Sequence, residues 1–294
     1  MSRQPRIHEP LPYSFTEVIE AIANQHKPAV QSMATRPFLK WVGGKRSILP
    51  DLLARMPERY QTYREPFIGG GALFFAVQPG RAYLSDINFN LVLSYQSVRD
   101  DVDGLIALLK EHQEKHCKEN YLKARERLCT EKHATKIAAL FIYLNKTCFN
   151  GLYRVNRAGQ FNVPMGSYTD PSLFEDDVIR NDSKLLQGVT ITQHGFSQCP
   201  IAREDFFYLD PPYHKVYAQY DSSGFGETEH KRLAEWCGEI HHAGAFFMLS
   251  NSDTPFVRSL YRDFHIESVS ASRSVSCKSH QRGKEDELVI RNYK

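Results

Sequence analysis

The sequence of 294 residues contains no Cys-x-x-Cys pair. Its six cysteines, Cys117, Cys129, Cys148, Cys199, Cys237 and Cys277, stand far apart. That spacing excludes a zinc knuckle and leads us to expect free thiols. No His-Glu-x-x-His occurs, and the adjacent His241 and His242 cannot share one helical face, so no metal is expected. No stretch approaches the roughly 18 apolar residues needed to span a bilayer. The start, Met-Ser-Arg-Gln-Pro-Arg, lacks the apolar core of a secretory signal. A cytoplasmic protein that touches no membrane is therefore expected. Internal repeats and low-complexity tracts are absent. With 41% hydrophobic residues and only 17 glycines, the chain is too apolar to be disordered and too glycine-poor to be fibrous.

Charge is informative only locally. Lys and Arg total 37 against 34 Asp and Glu, a net of +3. Residues 36–64 hold seven basic and two acidic side chains. Residues 145–168 hold Lys146, Arg154 and Arg157 and no acid, and residues 273–284 hold Arg273, Lys278, Arg282 and Lys284 and no acid. These segments could assemble one phosphate-facing surface or remain three solvated loops.

Hydrophobic patterning predicts an α/β chain. Residues 1–36 read as an extension, with Ser14 and Glu17 as a capping box before the stripe Val18, Ile19, Ile22 and Ala23. From residue 37 a Gly43-Gly44-Lys45 turn leads into a helix to about Arg55. Tyr63–Ile68 reads as a strand, Ala72–Val77 as a helix and Ala82–Asp86 as a strand, which makes one βαβ unit. Residues 90–145 are helical in pattern and free of proline. Residues 146–170 are rich in Asn, Gly and aromatics, with a hairpin turn at Arg157–Gln160. Alternation resumes near 190, with strands at Phe206–Leu209, Ala245–Ser250 and Glu287–Arg291 and a helix at Thr228–Ile240. The expected organisation is an extension (1–36), a core (37–92 and 190–294) and an insertion (93–189).

Two glycine turns compete as ligand sites. Gly43-Gly44-Lys45-Arg46 is not a P-loop, because Leu39 and Arg46 stand where that motif needs glycine and Ser or Thr. Gly69-Gly70-Gly71 follows a strand and opens a helix, but Phe74 occupies the third glycine position of the dinucleotide fingerprint. Asp86 ends the next strand, 17 residues after Gly69, where an acid can accept hydrogen bonds from ribose hydroxyls. A nucleoside cofactor without a pyrophosphate, such as S-adenosylmethionine, fits this combination; a structural tight turn fits it as well.

Asp210-Pro211-Pro212-Tyr213 closes the apolar run Phe206–Leu209. Two prolines remove two backbone donors. The loop then presents a carboxylate and carbonyl acceptors beside an aromatic ring, which suits a planar group bearing an NH2. Adenine's exocyclic amine is a poor nucleophile because its lone pair is delocalised into the ring. Acceptors at Asp210 and the Pro211 carbonyl would draw that nitrogen towards tetrahedral geometry, and stacking on Tyr213 would add about 1–3 kcal/mol. Positioning and preorganised acceptors would supply the rest.

These elements in this order resemble the Dam-type DNA adenine-N6 methyltransferases, which modify GATC. The resemblance rests on Phe38-Leu39-Lys40-Trp41-x-Gly43-Gly44-Lys45, Glu65-Pro66-Phe67-x-Gly-x-Gly71 and Asp210-Pro211-Pro212-Tyr213. Between the last two lies Leu144-Asn145-x-x-x-Phe149-Asn150-Gly151-Leu152-x-Arg154-x-Asn156-x-x-Gly159-x-Phe161-Asn162-Val163-Pro164-x-Gly166. It spans residues 37–294. It implies a Rossmann-like S-adenosylmethionine-dependent methyltransferase core with an inserted, mainly helical DNA-recognition domain that carries a hairpin loop. By resemblance, Trp41, Lys45, Phe67, Gly69, Gly71, Asp86 and Asp210 would form the S-adenosylmethionine site. Asp210, Pro211, Pro212 and Tyr213 would hold a flipped adenine. Phe149 would wedge into the duplex and Asn150 would touch a neighbouring base. Leu152, Arg154, Pro164 and Tyr168 would read GATC, Lys40 would contact its first guanine and Lys146 a phosphate. Ser167 departs from the basic residue often found beside this tyrosine. Arginine's preference for guanine and base flipping before amine chemistry agree with these roles. The implied partner is double-stranded DNA, in the cytoplasm at the nucleoid, with a monomer as the default. The same chemistry on an RNA base or a protein amide, and an inactive DNA-binding regulator, are the competing readings.

Overall fold

A computed structural model describes residues 37–214, 225–272 and 284–294. The helix expected within residues 1–36 and nearly all of the basic segment 273–284 lie outside those residues.

Seven strands form one sheet: β1 (Tyr63–Glu65), β2 (Ala82–Asp86), β3 (Thr190–Gln193), β4 (Phe206–Leu209), β5 (Phe246–Ser252), β6 (His265–Ser272) and β7 (Lys284–Arg291). Their spatial order is β3-β2-β1-β4-β5-β7-β6. The first five are parallel, and β7 runs antiparallel to both β5 and β6. This is the Rossmann-like methyltransferase sheet that the motifs imply. The chain leaves β1 towards β2 and β3 and then returns to β4 on the other side. Tyr63 accordingly faces Ala82 on one flank and Phe206 on the other. In open sheets, ligands bind at the strand carboxyl ends where the order reverses in this way.

The sheet is buried on both faces, and its side chains alternate between two cores. Phe206 and Tyr208 of β4, Met248 of β5 and Val289 of β7 belong to one. Phe207, Leu209, Phe247, Leu249, Leu288 and Ile290 belong to the other, with Leu233, Trp236 and Ile240 of helix α8 (Glu227–His242). In chain order the earlier helices are α1 (Leu49–Leu53), α2 (Ala72–Val77), α3 (Phe89–Asp100), α4 (Val102–Glu114), α5 (Lys118–Leu128), α6 (Ala134–Thr147) and α7 (Asp176–Leu186); α9 (Pro255–Leu260) follows α8. Helices α3 to α7 all lie between β2 and β3. Helix α6 is their hub: it is apolar on nearly every side and packs against α3, α4 and α5. Its buried residues share one core with the sheet.

Three local expectations change. The strand expected over Tyr63–Ile68 stops at Glu65, because Pro66 has no N–H to continue the ladder. The helix expected to reach Arg55 is split into a 3₁₀ turn at Lys45–Ser47 and the short α1, with Pro50 in the first turn of α1. Strand β6 carries too few apolar residues in alternation to stand out in the sequence. Its partner makes it: eight consecutive residues pair with β7, which starts at Lys284 rather than Glu287. The five cysteines among the described residues are free thiols.

Strand β1 is central, yet two of its three residues are ionisable. Arg64 is buried and ion-pairs with Asp205, which is 1% exposed and precedes β4. The guanidinium also lies 5.3 Å from the Tyr83 ring centre and 5.8 Å from that of Phe207. Asp205 further accepts a hydrogen bond from the Thr62 backbone N–H at 3.1 Å. The pair therefore fixes the start of β1 to the start of β4. Asp205→Ala should strand the Arg64 charge and destabilise the protein by about 3–5 kcal/mol. Urea unfolding followed by circular dichroism measures this; a midpoint equal to the wild type's would remove the pair from the structural account.

Candidate active site and nucleic-acid interface

The glycine turn packs tightly against Trp41 and Tyr95. Gly69 and Gly71 have φ of +44° and +66°, and Gly71 caps helix α2. A Cβ on Gly71 would lie 2.7 Å from the Tyr95 hydroxyl, and one on Gly69 would lie 2.8 Å from Cδ1 of Trp41. Both positions thus need glycine. Tyr95 donates to the Gly69 carbonyl at 3.0 Å. Asp86 ends β2 beside this turn and accepts from the Gly69 N–H at 3.3 Å and the Asn88 N–H at 2.9 Å. Burial pushes the Asp86 carboxyl up to about 6 against those hydrogen bonds. Asn88 caps α3 through its Oδ1, while its Nδ2 is buried without a hydrogen-bond partner among the described residues. Ile87 is 60% exposed on the same edge. Trp41, Gly69, Gly71 and Asp86 are therefore brought together as expected.

One strand across, Asp210 follows β4. Lys45 is buried and ion-pairs with Asp210 at 2.9 Å, with its ammonium 4.6 Å from the Tyr213 ring centre. Burial raises the Asp210 carboxyl to about 6; Lys45 pulls it down and Glu287 pushes it up. Glu65, at the end of β1, is more deeply buried and accepts a hydrogen bond from the Tyr63 hydroxyl at 2.6 Å. Burial drives its pKa well above the usual carboxylate range. Two acids thus face one edge, and Asp210 is the one that ionises more readily.

The Asp-Pro-Pro-Tyr loop is held from both sides. The Tyr213 hydroxyl donates to Glu287 on β7 at 2.6 Å. The His214 N–H donates to Asn251 Oδ1 at 3.1 Å, and Ser252 Oγ donates to the His214 carbonyl at 2.7 Å. Phe67 instead stacks on Phe196 at 5.6 Å and meets Phe225 edge-on at 5.8 Å, among residues packed on the α8 side.

A second cluster forms at the end of α6. The Lys40 ammonium donates to the Tyr168 hydroxyl at 3.2 Å and to the Lys146 carbonyl at 3.3 Å. Lys146 is half-buried, and burial lowers its ammonium to about 8 with Lys40 adding to the drop. The hairpin expected at 157–160 is present: Val155 bridges Phe161, Asn156 Oδ1 accepts from the Ala158 and Gln160 N–H groups, and Gly159 has φ +75°. The Phe149 N–H donates to the Pro164 carbonyl at 2.9 Å, which places the two side by side. Phe149 is 46% exposed despite its size. Asn150 is exposed on a left-handed turn at φ +54°, and Gly151 follows at +62°. Leu152 is half-buried. The exposed Arg154 hydrogen-bonds only within the hairpin, to Asn162 at 2.8 Å.

Several contributors escaped the sequence reading. Asn145 is buried and clamps the main chain of Lys40, accepting from its N–H at 2.9 Å and donating to its carbonyl at 2.7 Å. The signal was its place within the long middle motif. Tyr153 stacks on Trp41 at 5.8 Å with 22° between the rings. Glu287 lies 74 residues from Tyr213, and no local pattern links them.

The family model described as D12 class N6 adenine-specific DNA methyltransferase matches residues 41–275. The chain is 38% identical over 271 residues to the Type II methyltransferase M1.LlaDCHI of Lactococcus lactis subsp. cremoris, covering 88% of this chain and 95% of that protein. It is 39% identical over 290 residues to the Type II methyltransferase M.MjaIII of Methanocaldococcus jannaschii, covering 89% and 100%. The DNA adenine methylase of Escherichia coli K12 is 32% identical over 269 residues, covering 86% and 94%. A glycine turn with its strand-end acid, an Asp-Pro-Pro-Tyr loop on the neighbouring strand end and a match over most of the chain converge on one assignment: the protein belongs to the D12 class of N6 adenine-specific DNA methyltransferases.

Proposed function

We propose that this protein transfers a methyl group from S-adenosylmethionine to N6 of a flipped adenine within GATC of double-stranded DNA, acting as a monomer in the cytoplasm. The observation that carries the reading is the adjacency of the Gly69–Gly71 turn, Asp86 and Asp210 on the carboxyl edge of β1, β2 and β4. The residues fit the cofactor. The glycine turn is held against Trp41 and Tyr95 at the end of β1, Asp86 is an acceptor for ribose hydroxyls, and Asn88 Nδ2 is a buried donor without a hydrogen-bond partner among the described residues. S-adenosylmethionine supplies an electrophilic methyl on a sulfonium.

The chain's own groups do the rest. Asp210 and the Pro211 carbonyl accept the two N6 hydrogens and stabilise the positive charge that develops on nitrogen. Tyr213 stacks on the base, oriented by Glu287. Lys45 keeps Asp210 ionised in the resting enzyme. The segment 93–189 serves as the recognition unit on the core 37–92 and 190–294. There Phe149 fills the gap left by the flipped base and Asn150 contacts its neighbour. Lys40, Leu152, Arg154, Pro164 and Tyr168 read the site, and Lys146 holds a phosphate. The exposure of Phe149 and Arg154 supports this role.

Labelled S-adenosylmethionine with one GATC duplex and one scrambled duplex tests the reading. N6-methyladenine should form only in the first. Label in both would discard GATC, and no transfer to either would discard the DNA substrate. Asp210→Ala should abolish transfer with the fold retained. Arg154→Ala should cost about 1–3 kcal/mol of discrimination at one guanine, read from competing one-base variants.

The pH profile follows from Asp210. Ionised Asp210 is the strong acceptor for one N6 hydrogen, beside the Pro211 carbonyl for the other, so kcat/KM should fall about tenfold per pH unit below about 6. Lys45 favours the ionised form, so Lys45→Met should raise the Asp210 pKa and move this acid limb to higher pH. Asp86 also titrates near 6, but Lys45 does not influence it. An unmoved limb in Lys45→Met would assign the limb to Asp86.

A further inference from the structure

Tyr153 lies between two proposed DNA-reading residues, Leu152 and Arg154, yet its ring faces the cofactor turn. It stacks on Trp41 and meets Phe141 at 5.7 Å and Phe161 at 6.0 Å. Trp41 in turn is wedged against the glycine turn: a Cβ on Gly69 would lie 2.8 Å from it and one on Gly70 3.2 Å. The far end of Tyr153 reaches the same place. Burial raises its hydroxyl pKa, the Asn88 amide opposes that rise and Asp86 adds to it. The Asn88 amide is therefore a near neighbour of the Tyr153 hydroxyl. An unbroken run of packed groups thus leads from Asp86 and Gly69 through Trp41 to Tyr153. From there it continues to the hairpin at Phe161.

We propose that Tyr153 is a positioning residue that couples occupancy of the cofactor turn to DNA reading by the hairpin. Aromatic rings in close packing are stiff, and a shift of Trp41 as the turn fills must be met by Tyr153. The Tyr153 backbone carries Leu152 and Arg154 on either side, so their aim follows. Such coupling is reciprocal: DNA on the hairpin must tighten the cofactor by the same factor as the cofactor tightens DNA. The inference rests on the proposed cofactor and DNA sites and adds a residue assigned to neither.

The test is fluorescence anisotropy on a GATC duplex and on one with its first base pair exchanged, each with and without saturating S-adenosylhomocysteine. For the wild type, S-adenosylhomocysteine should tighten GATC binding by about 5- to 150-fold, the usual range of such coupling. Tyr153→Leu should bring that ratio to within about twofold of one, with DNA affinity in the absence of S-adenosylhomocysteine retained. Tyr153→Phe, which keeps the stack, should restore the ratio. Calorimetry of S-adenosylhomocysteine with and without DNA should give the same ratio for each protein. Tyr153→Met serves if the leucine variant does not fold. A wild-type ratio in the leucine or methionine variant overturns the proposal. An equal loss of DNA affinity with and without S-adenosylhomocysteine also overturns it, because that is what a purely structural role produces. A wild type that binds both duplexes alike sinks the GATC reading instead, while the ratio still judges Tyr153.

Discussion

Parallel pairing of β1 with both β2 and β4 is the constraint on which the rest depends. It brings three strand ends to one edge, and each end carries an acid: Glu65, Asp86 and Asp210. The loops that follow inherit their positions from this pairing. The glycine turn can lie against Trp41 only because β1 ends where it does, and Pro66 enforces that end. The Arg64–Asp205 pair locks the opposite ends of β1 and β4, so the register that aligns Asp210 with the turn is held from below.

Three acids on one edge of a buried sheet create an electrostatic problem, and the three are resolved differently. Asp86 is offset by backbone N–H groups. Asp210 is offset by Lys45. Glu65 accepts a hydrogen bond from the Tyr63 hydroxyl, and burial pushes its pKa well above the usual carboxylate range. Lys45 itself is buried and is held by the Gly43 carbonyl as well as by Asp210, so the Gly43-Gly44-Lys45 turn is an arm that delivers one charge to the Asp-Pro-Pro-Tyr loop.

What was legible in the sequence was whatever has a local cause. Helix α2 and strand β2 lie where the pattern placed them, because glycines and apolar alternation mark their ends. The hairpin turn was legible from Asn, Gly and their side-chain capping of the backbone. Strand β6 was not, since its stability comes from pairing with β7. The same division holds at the site. Asp86, Asp210 and the glycines sit in local motifs that the sequence displays. Glu287 and Asn145 act through partners 74 and 105 residues away, and no periodicity encodes that distance.

Of the long-range pairs missed from sequence, Asn145–Lys40 ties the helix before the hairpin to the segment that carries Trp41. Asn145 ends a helix buried on nearly every side and clamps the Lys40 backbone, one residue before Trp41. Gly151 packs so closely on Lys40 that a Cβ would lie 3.0 Å from its side chain. The exposed side chains of Phe149 and Arg154 stand on a buried base. Here that base is α6, which shares its core with the sheet carrying the acids. The hairpin and the strand-end acids therefore hang from a common core.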